Sequence, residues 1–292
     1  MQQRPYLLGL IGGNIQKSLG PTLQEDALAA HGLRGHYHLM DLDIAPRRRL
    51  EDVFAAVKLL GFAGVHVTFP VKQAVIPLLD DLSDEARQIG AVNTVTFAGD
   101  GRATGYNTDR SGFRNSLEAT FGVNALADQT VVLLGAGGGG RACAFALMDL
   151  GAAQVAIHDS DRARAEQLTA DLANVFGAAR CRLVDDLGAA IRGAKGLVNA
   201  TPVGMLGVPG IPVPPESLSG ALWVADIIYT PLQTELIKAA MAKGCRVITG
   251  DGMNVHQAVA SFRHFTGRDA DFTRMKRTFD TAMAARIAAG KA

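Results

Sequence analysis

The chain has 292 residues, 48% hydrophobic and 20% charged, which is enough for two domains that each bury a core. With 29 Lys and Arg against 28 Asp and Glu the net charge is +1, so no global field draws in a nucleic acid or an anionic membrane surface, and a small molecule is the expected partner. The three cysteines, Cys143, Cys181 and Cys245, are widely spaced, fit no metal-ligand pattern and read as reduced core thiols. No run approaches about 18 apolar residues, and YLLGLIGG lacks the flanks of a signal peptide. Both observations set a cytoplasmic expectation.

In chain order, short apolar runs alternate with helical patterns: strand LLGLIG, helix GPTLQEDALAAHG, strand HYHLMDLD, helix LEDVFAAVKLLG and strand FAGVHVTFP. This alternation predicts parallel βαβ units. TVTFAGDGRATGYNTD then reads as a hairpin turning at Gly99-Asp100-Gly101, which closes an α/β domain near Asp109. A second set of units opens at TVVLLG and continues through QVAIHD, ARCRLVD, GLVNATP, LWVADI and CRVITG, continuously apolar strands suited to a parallel sheet covered on both faces. Phe272, Met275, Phe279, Met283 and Ile287 form one stripe of a closing amphipathic helix.

VVLLGAGGGGRACAFAL is a strand, a glycine-dense turn and a helix, and satisfies G-x-G-x-x-G at Gly135, Gly137 and Gly140, with Ala136, Gly138 and Gly139 between them. Glycines here let a dinucleotide pyrophosphate rest on backbone N–H groups at the helix N-terminus. The next strand ends at Asp159, where a carboxylate accepts hydrogen bonds from the adenosine ribose and repels a 2′-phosphate. NAD is therefore favoured over NADP, with Arg162 and Arg164 as the counter-signal.

Ser18, Thr68, Lys72, Asn93, Thr108 and Asp109 gather hydroxyls, an amide, an amine and a carboxylate near the ends of predicted strands, a set suited to a polyhydroxylated acid. GNIQKSLGPTLQE, GVHVTFPVK, GAVNTV and GYNTDRSGF carry these residues, and NATPVGM, DIIYTPLQTELIKAA and GDGMNVHQAV follow. In this order the segments resemble the shikimate dehydrogenase family, including its quinate/shikimate dehydrogenase branch, over nearly the whole chain. The resemblance implies an α/β fold with an N-terminal substrate domain (1–112), a Rossmann-type doubly wound dinucleotide-binding domain (113–246), a cleft between them, and C-terminal helices (247–292) that return to the first domain. It assigns the catalytic pair to Lys72, closing VTxPxK, and Asp109, closing NTD. It also implies that Ser18 and Tyr229 hold the substrate carboxylate and that Thr68, Asn93 and Gln257 meet ring hydroxyls. Asn199, Thr201 and Met205 would line the nicotinamide end, and Gly252 would be a further cofactor-binding residue. The implied partner is a small cyclic polyhydroxylated carboxylic acid. No nucleic acid or membrane is expected, and a homodimer stays open.

Three departures bear on the substrate. Where the family commonly has Ser-x-Ser this chain has Ser18-Leu19-Gly20, and room freed there would admit the extra hydroxyl of quinate. His66 stands where the family has Asn and reads as a satisfied core residue, while Asp251 makes the segment before Gln257 more acidic. Asp159-Ser160-Asp161 replaces the Asn-Arg-Thr of members using NADP, a second sign of NAD. The leading expectation is an NAD-dependent dehydrogenase of shikimate or quinate. The alternatives are a dehydrogenase of an aminoshikimate-like or otherwise modified cyclic acid, and a non-catalytic dinucleotide-binding sensor.

Overall fold

The computed structural model describes residues 4–44, 48–124 and 126–289. They form two compact units, one running to Thr108 and resuming at Val255, the other Asp109–Asn254. Both boundaries fall inside helices, so no turn residue in the sequence marks them.

In the first unit β1 (Tyr6–Gly12), α1 (Gly20–Ala30), β2 (Gly35–Asp41), α2 (Leu50–Leu59) and β3 (Gly64–Val67) form two parallel pairings, with β1 between β2 and β3. β4 (Asp81–Leu82) and α3 (Asp84–Ile89) precede the hairpin β5 (Thr94–Phe97) and β6 (Ala103–Tyr106). β5 runs antiparallel to β3, so the sheet is mixed, in the order β2-β1-β3-β5-β6-β4. Ile11, Met40, Val65, Val67 and Val95 bury one face against Phe54 and Val57 of α2.

α4 (Thr108–Phe121) leads into the second unit: β7 (Thr130–Leu134), α5 (Gly138–Asp149), β8 (Gln154–His158), α6 (Arg162–Phe176), β9 (Cys181–Leu183), α7 (Leu187–Arg192), β10 (Gly196–Asn199), β11 (Trp223–Asp226), α8 (Glu235–Ala242) and β12 (Arg246–Ile248). All its strands are parallel, in the order β12-β11-β10-β7-β8-β9, the doubly wound Rossmann arrangement. Val131 to Leu134 are buried without alternation because both faces are covered. The chain reverses strand order between β7 and β10, and the ends of these two strands are where such sheets bind ligands.

α9 (Gly250–Thr266) and α10 (Phe272–Ala288) complete the chain. Tyr106 stacks on His264 of α9 at 4.0 Å, and His256 of α9 stacks on Phe272 at 4.1 Å. Asp26 of α1 receives both arms of the Arg274 guanidinium (2.9 and 2.7 Å) and the Thr278 hydroxyl (3.1 Å). Met275, Phe279 and Met283 are buried, but Ile287 is 62% exposed, so the predicted stripe ends one turn early. Arg286, next to it in that last turn, reaches the carbonyl of Lys17, ahead of the first turn of α1.

Candidate active site

The loop after β1 carries Ser18 and is held from the neighbouring strand. Asp41 ends β2 opposite Gly12, and its carboxylate accepts the N–H groups of Asn14, Ile15 and Asp43 (3.0 Å each) and the Gln16 amide (3.2 Å). Burial pushes the Asp41 carboxyl up, but the bonds from Asp43, Gln16, Ile15 and Asn14 outweigh it and hold it below the usual range. Ser18 Oγ accepts the Gly20 N–H at 3.1 Å, which leaves its own hydrogen to donate.

The ladder of β3 stops at Val67, ahead of Pro70, which follows Phe69 through a cis peptide. Thr68 N–H still reaches Ile11 O (3.0 Å), Val71 N–H turns back to Thr68 O (2.9 Å), and the Lys72 carbonyl accepts Val92 N–H (2.8 Å). The next residue, Asn93, is 3% exposed. Its side-chain oxygen accepts Thr108 N–H (2.8 Å), Thr108 Oγ1 (3.2 Å) and Thr94 Oγ1 (3.0 Å), while Nδ2 donates to Thr108 Oγ1 (2.9 Å). These bonds draw the segments carrying Thr68, Lys72, Asn93 and Thr108 together. Gln257 lies on the part of α9 that belongs to this unit.

His66 is a core residue, as expected from a histidine on a strand. Nδ1 meets Tyr37 OH at 2.8 Å, Nε2 meets Ser261 Oγ at 2.6 Å, and the ring sits edge-on to Phe265. Tyr37 also accounts for Gly20: a Cβ at that glycine would lie 2.9 Å from the Tyr37 hydroxyl oxygen and 3.0 Å from two ring carbons. The room expected beside Gly20 is therefore occupied by the Tyr37 ring on that side.

In the second unit a Cβ on Gly140 would collide with the Gly135 carbonyl, and one on Gly135 would lie 2.8 Å from Ala200 O; Gly135 also has φ +95°. At Gly137, by contrast, nothing lies within 4 Å of where a Cβ would point. This open cradle at the start of α5, with first-turn N–H groups that have no intrahelical partner, fits a pyrophosphate. Asp159 caps the turn, accepting Ala136 N–H (2.6 Å) and Asp161 N–H (2.8 Å). Both nearby arginines are paired: Arg162 with Glu166 (2.8 Å) and Asp185 (2.9 Å), Arg164 with Asp161 (3.1 Å).

At the ends of the next strands, Asn199 Oδ1 accepts Thr201 N–H (3.0 Å) and Thr201 Oγ1 (2.7 Å), and the chain continues to Met205. Tyr229 lies in the loop after β11. Gly252 is a glycine for a packing reason, since a Cβ there would collide with Ser116 of α4. Asp109 stands in the first turn of α4, 5% exposed, directly after Thr108. Asp251 accepts the Thr249 hydroxyl at 2.5 Å.

Sequence reasoning passed over Asp41, Tyr37 and Asp226. An apolar strand ending in Asp, as in HYHLMD and LWVAD, was the available signal for the two carboxylates. Burial pushes Asp226 up to about 6, against bonds from Thr234, Ile228 and Asn199. The folded chain thus holds this proton up to about pH 6, while the unfolded chain releases it near 3.8. Stability should fall as pH rises through that window, by roughly 3 kcal/mol in all. Asp226→Asn should flatten the dependence, as read from urea midpoints between pH 4 and 7.

The shikimate dehydrogenase substrate binding domain profile matches residues 10–95, and that of the shikimate 5'-dehydrogenase C-terminal domain matches residues 252–278. The chain is 46% identical to a shikimate dehydrogenase (NADP(+)) of Streptomyces avermitilis over 280 residues, 94% of this chain and 95% of that protein. It is 42% identical to a quinate/shikimate dehydrogenase (NAD(+)) of Corynebacterium efficiens over 283 residues, 96% and 99% of the two. The structure of quinate dehydrogenase from Corynebacterium glutamicum in complex with NAD superposes with a TM-score of 0.85 at 40% identity, covering 95% of this chain and 99% of that one.

Proposed function

The chain belongs to the shikimate dehydrogenase family of oxidoreductases, and we propose that it interconverts shikimate or quinate with the corresponding 3-dehydro acid, using NAD. The observation that carries the site reading is the set of buried bonds from Lys72 to Val92 and from Asn93 to Thr108, with Asp109 next in the chain. An alcohol can give up hydride only if its hydroxyl proton also leaves. Lys72 takes that proton, and Asp109 holds the hydroxyl and the amine in register. Asn93 has spent its carbonyl oxygen and one amide hydrogen on Thr94 and Thr108, so the second hydrogen serves a ring hydroxyl, beside Thr68 and Gln257. Ser18 and Tyr229 take the carboxylate.

When bound, NAD supplies the hydride acceptor. Its pyrophosphate would rest on the turn of Gly135 to Gly140, its ribose on Asp159 and its nicotinamide end on Asn199, Thr201 and Met205. NAD is preferred to NADP because Asp159 and Asp161 stand after β8 and both adjacent arginines are already neutralised. Reduced-nicotinamide absorbance, followed with shikimate, quinate or no acid and with either cofactor, tests the whole reading. At least about tenfold higher kcat/KM with NAD is expected, equivalent to about 1.4 kcal/mol. Signal with NADP alone would overturn the assignment of Asp159, and no signal with either acid would overturn the substrate.

Asp41 gives a second test. Asp41→Ala frees three N–H groups of the Ser18 side of the loop and Asp43 at once, so KM for the acid should rise about tenfold while the NADH dissociation constant is unchanged. Steady-state kinetics and a fluorescence titration of NADH separate the two.

A further inference from the structure

Asp226 is 2% exposed, burial pushes its carboxyl up to about 6, and it lies outside the proposed proton-transfer pair. Among the described residues its carboxylate meets only neutral groups. Oδ1 accepts Asn199 Nδ2 (3.1 Å) and the Ile228 N–H (3.0 Å), and Oδ2 accepts the Thr234 hydroxyl (2.7 Å). The charged groups of the surrounding elements are engaged elsewhere: Glu235 with Lys238 in α8, Arg246 of β12 over Phe121, and Asp251 of α9 with Thr249. Asn199 and Asp226 are register partners at the ends of β10 and β11. Beyond them the two loops meet again, where Leu206 N–H reaches Thr230 O at 3.1 Å.

We infer that Asp226 is a positioning residue that fixes the turn of Asn199, Thr201 and Met205 and the loop of Tyr229 as one piece, so that the nicotinamide and carboxylate subsites are ordered together. The inference rests on the dehydrogenase reading of those residues. An ionised carboxylate accepts at both oxygens. It therefore forces Asn199 Nδ2 toward β11, which leaves Asn199 Oδ1 to Thr201. A proton on Asp226 turns one acceptor into a donor, while the Thr234 oxygen already accepts Ile237 N–H at 3.2 Å. Protonation also removes the negative charge that strengthens all three bonds, so it weakens the hold on Asn199 and on the Ile228 backbone.

The test uses the full chain with Asp226→Asn and Thr234→Val. Thermal melts establish folding, NADH fluorescence titrations at pH 7.5 and 5.5 read the cofactor without turnover, and initial rates give kcat and KM for the acid. In Asp226→Asn the NADH dissociation constant and the acid KM should both rise about fivefold or more at pH 7.5, with kcat lowered about tenfold. The wild-type loss of NADH affinity between pH 7.5 and 5.5 should disappear in this variant. Thr234→Val, which removes only the Oδ2 partner, should move both constants in the same direction by less. Folded variants with wild-type constants and wild-type pH dependence would overturn the inference, as would a change confined to one of the two constants. A wild-type chain that binds no NADH would instead remove the dehydrogenase reading on which it rests.

Discussion

Lys72→Ala should lower kcat by about 10²-fold or more, while the NADH dissociation constant stays within about twofold. Lys72 belongs to the first unit and the dinucleotide turn to the second, and on the proposed reading the alanine removes the proton acceptor and leaves every residue of the turn in place. Lys72→Arg discriminates between charge and proton transfer. A guanidinium keeps the positive charge but cannot deprotonate at accessible pH, so it should fail to restore turnover. If arginine restores the rate, Lys72 acts by charge alone. If alanine retains the wild-type rate, the proton acceptor lies elsewhere. Asp109→Asn should lower kcat less than Lys72→Ala does, since an amide oxygen still accepts from the substrate hydroxyl but the negative charge that favours a nearby ammonium is gone.

Much of this was legible from residue spacing, because strands of a covered parallel sheet are read as unbroken apolar runs and each such run of the second unit formed a strand where expected. The hairpin at Gly99 to Gly101 was equally plain, since its turn chemistry is local. What escaped were interactions between residues far apart in the chain. Gly20 looked like an opened space because nothing in SLGPTL announces that the ring of Tyr37 lies against it. Asp41 and Asp226 looked like strand-end polar residues, and their partners come from other loops through the register of parallel strands. Ile287 fits the helical period, yet period reports which face a residue is on and not whether a neighbour extends far enough to cover it.

The glycine turn offers the other large effect, because its glycines are glycine for different reasons. A methyl on Gly140 would enter the Gly135 carbonyl, which is backbone and cannot rotate away. Gly140→Ala should therefore destabilise the protein by about 3 kcal/mol or more, roughly 10 °C in Tm, as β7 and α5 are forced apart. Gly137 has φ −71° and ψ −176°, a conformation open to any residue, and its Cβ would meet nothing of the protein within 4 Å. Gly137→Ala should leave stability within about 0.5 kcal/mol of wild type. The same methyl would stand in the space through which a pyrophosphate approaches the helix N-terminus, so the NADH dissociation constant should rise about tenfold or more. Melting curves and NADH titrations of the two variants resolve the cases. A Gly137→Ala protein with both wild-type stability and wild-type NADH affinity would mean that the dinucleotide does not lie on this turn.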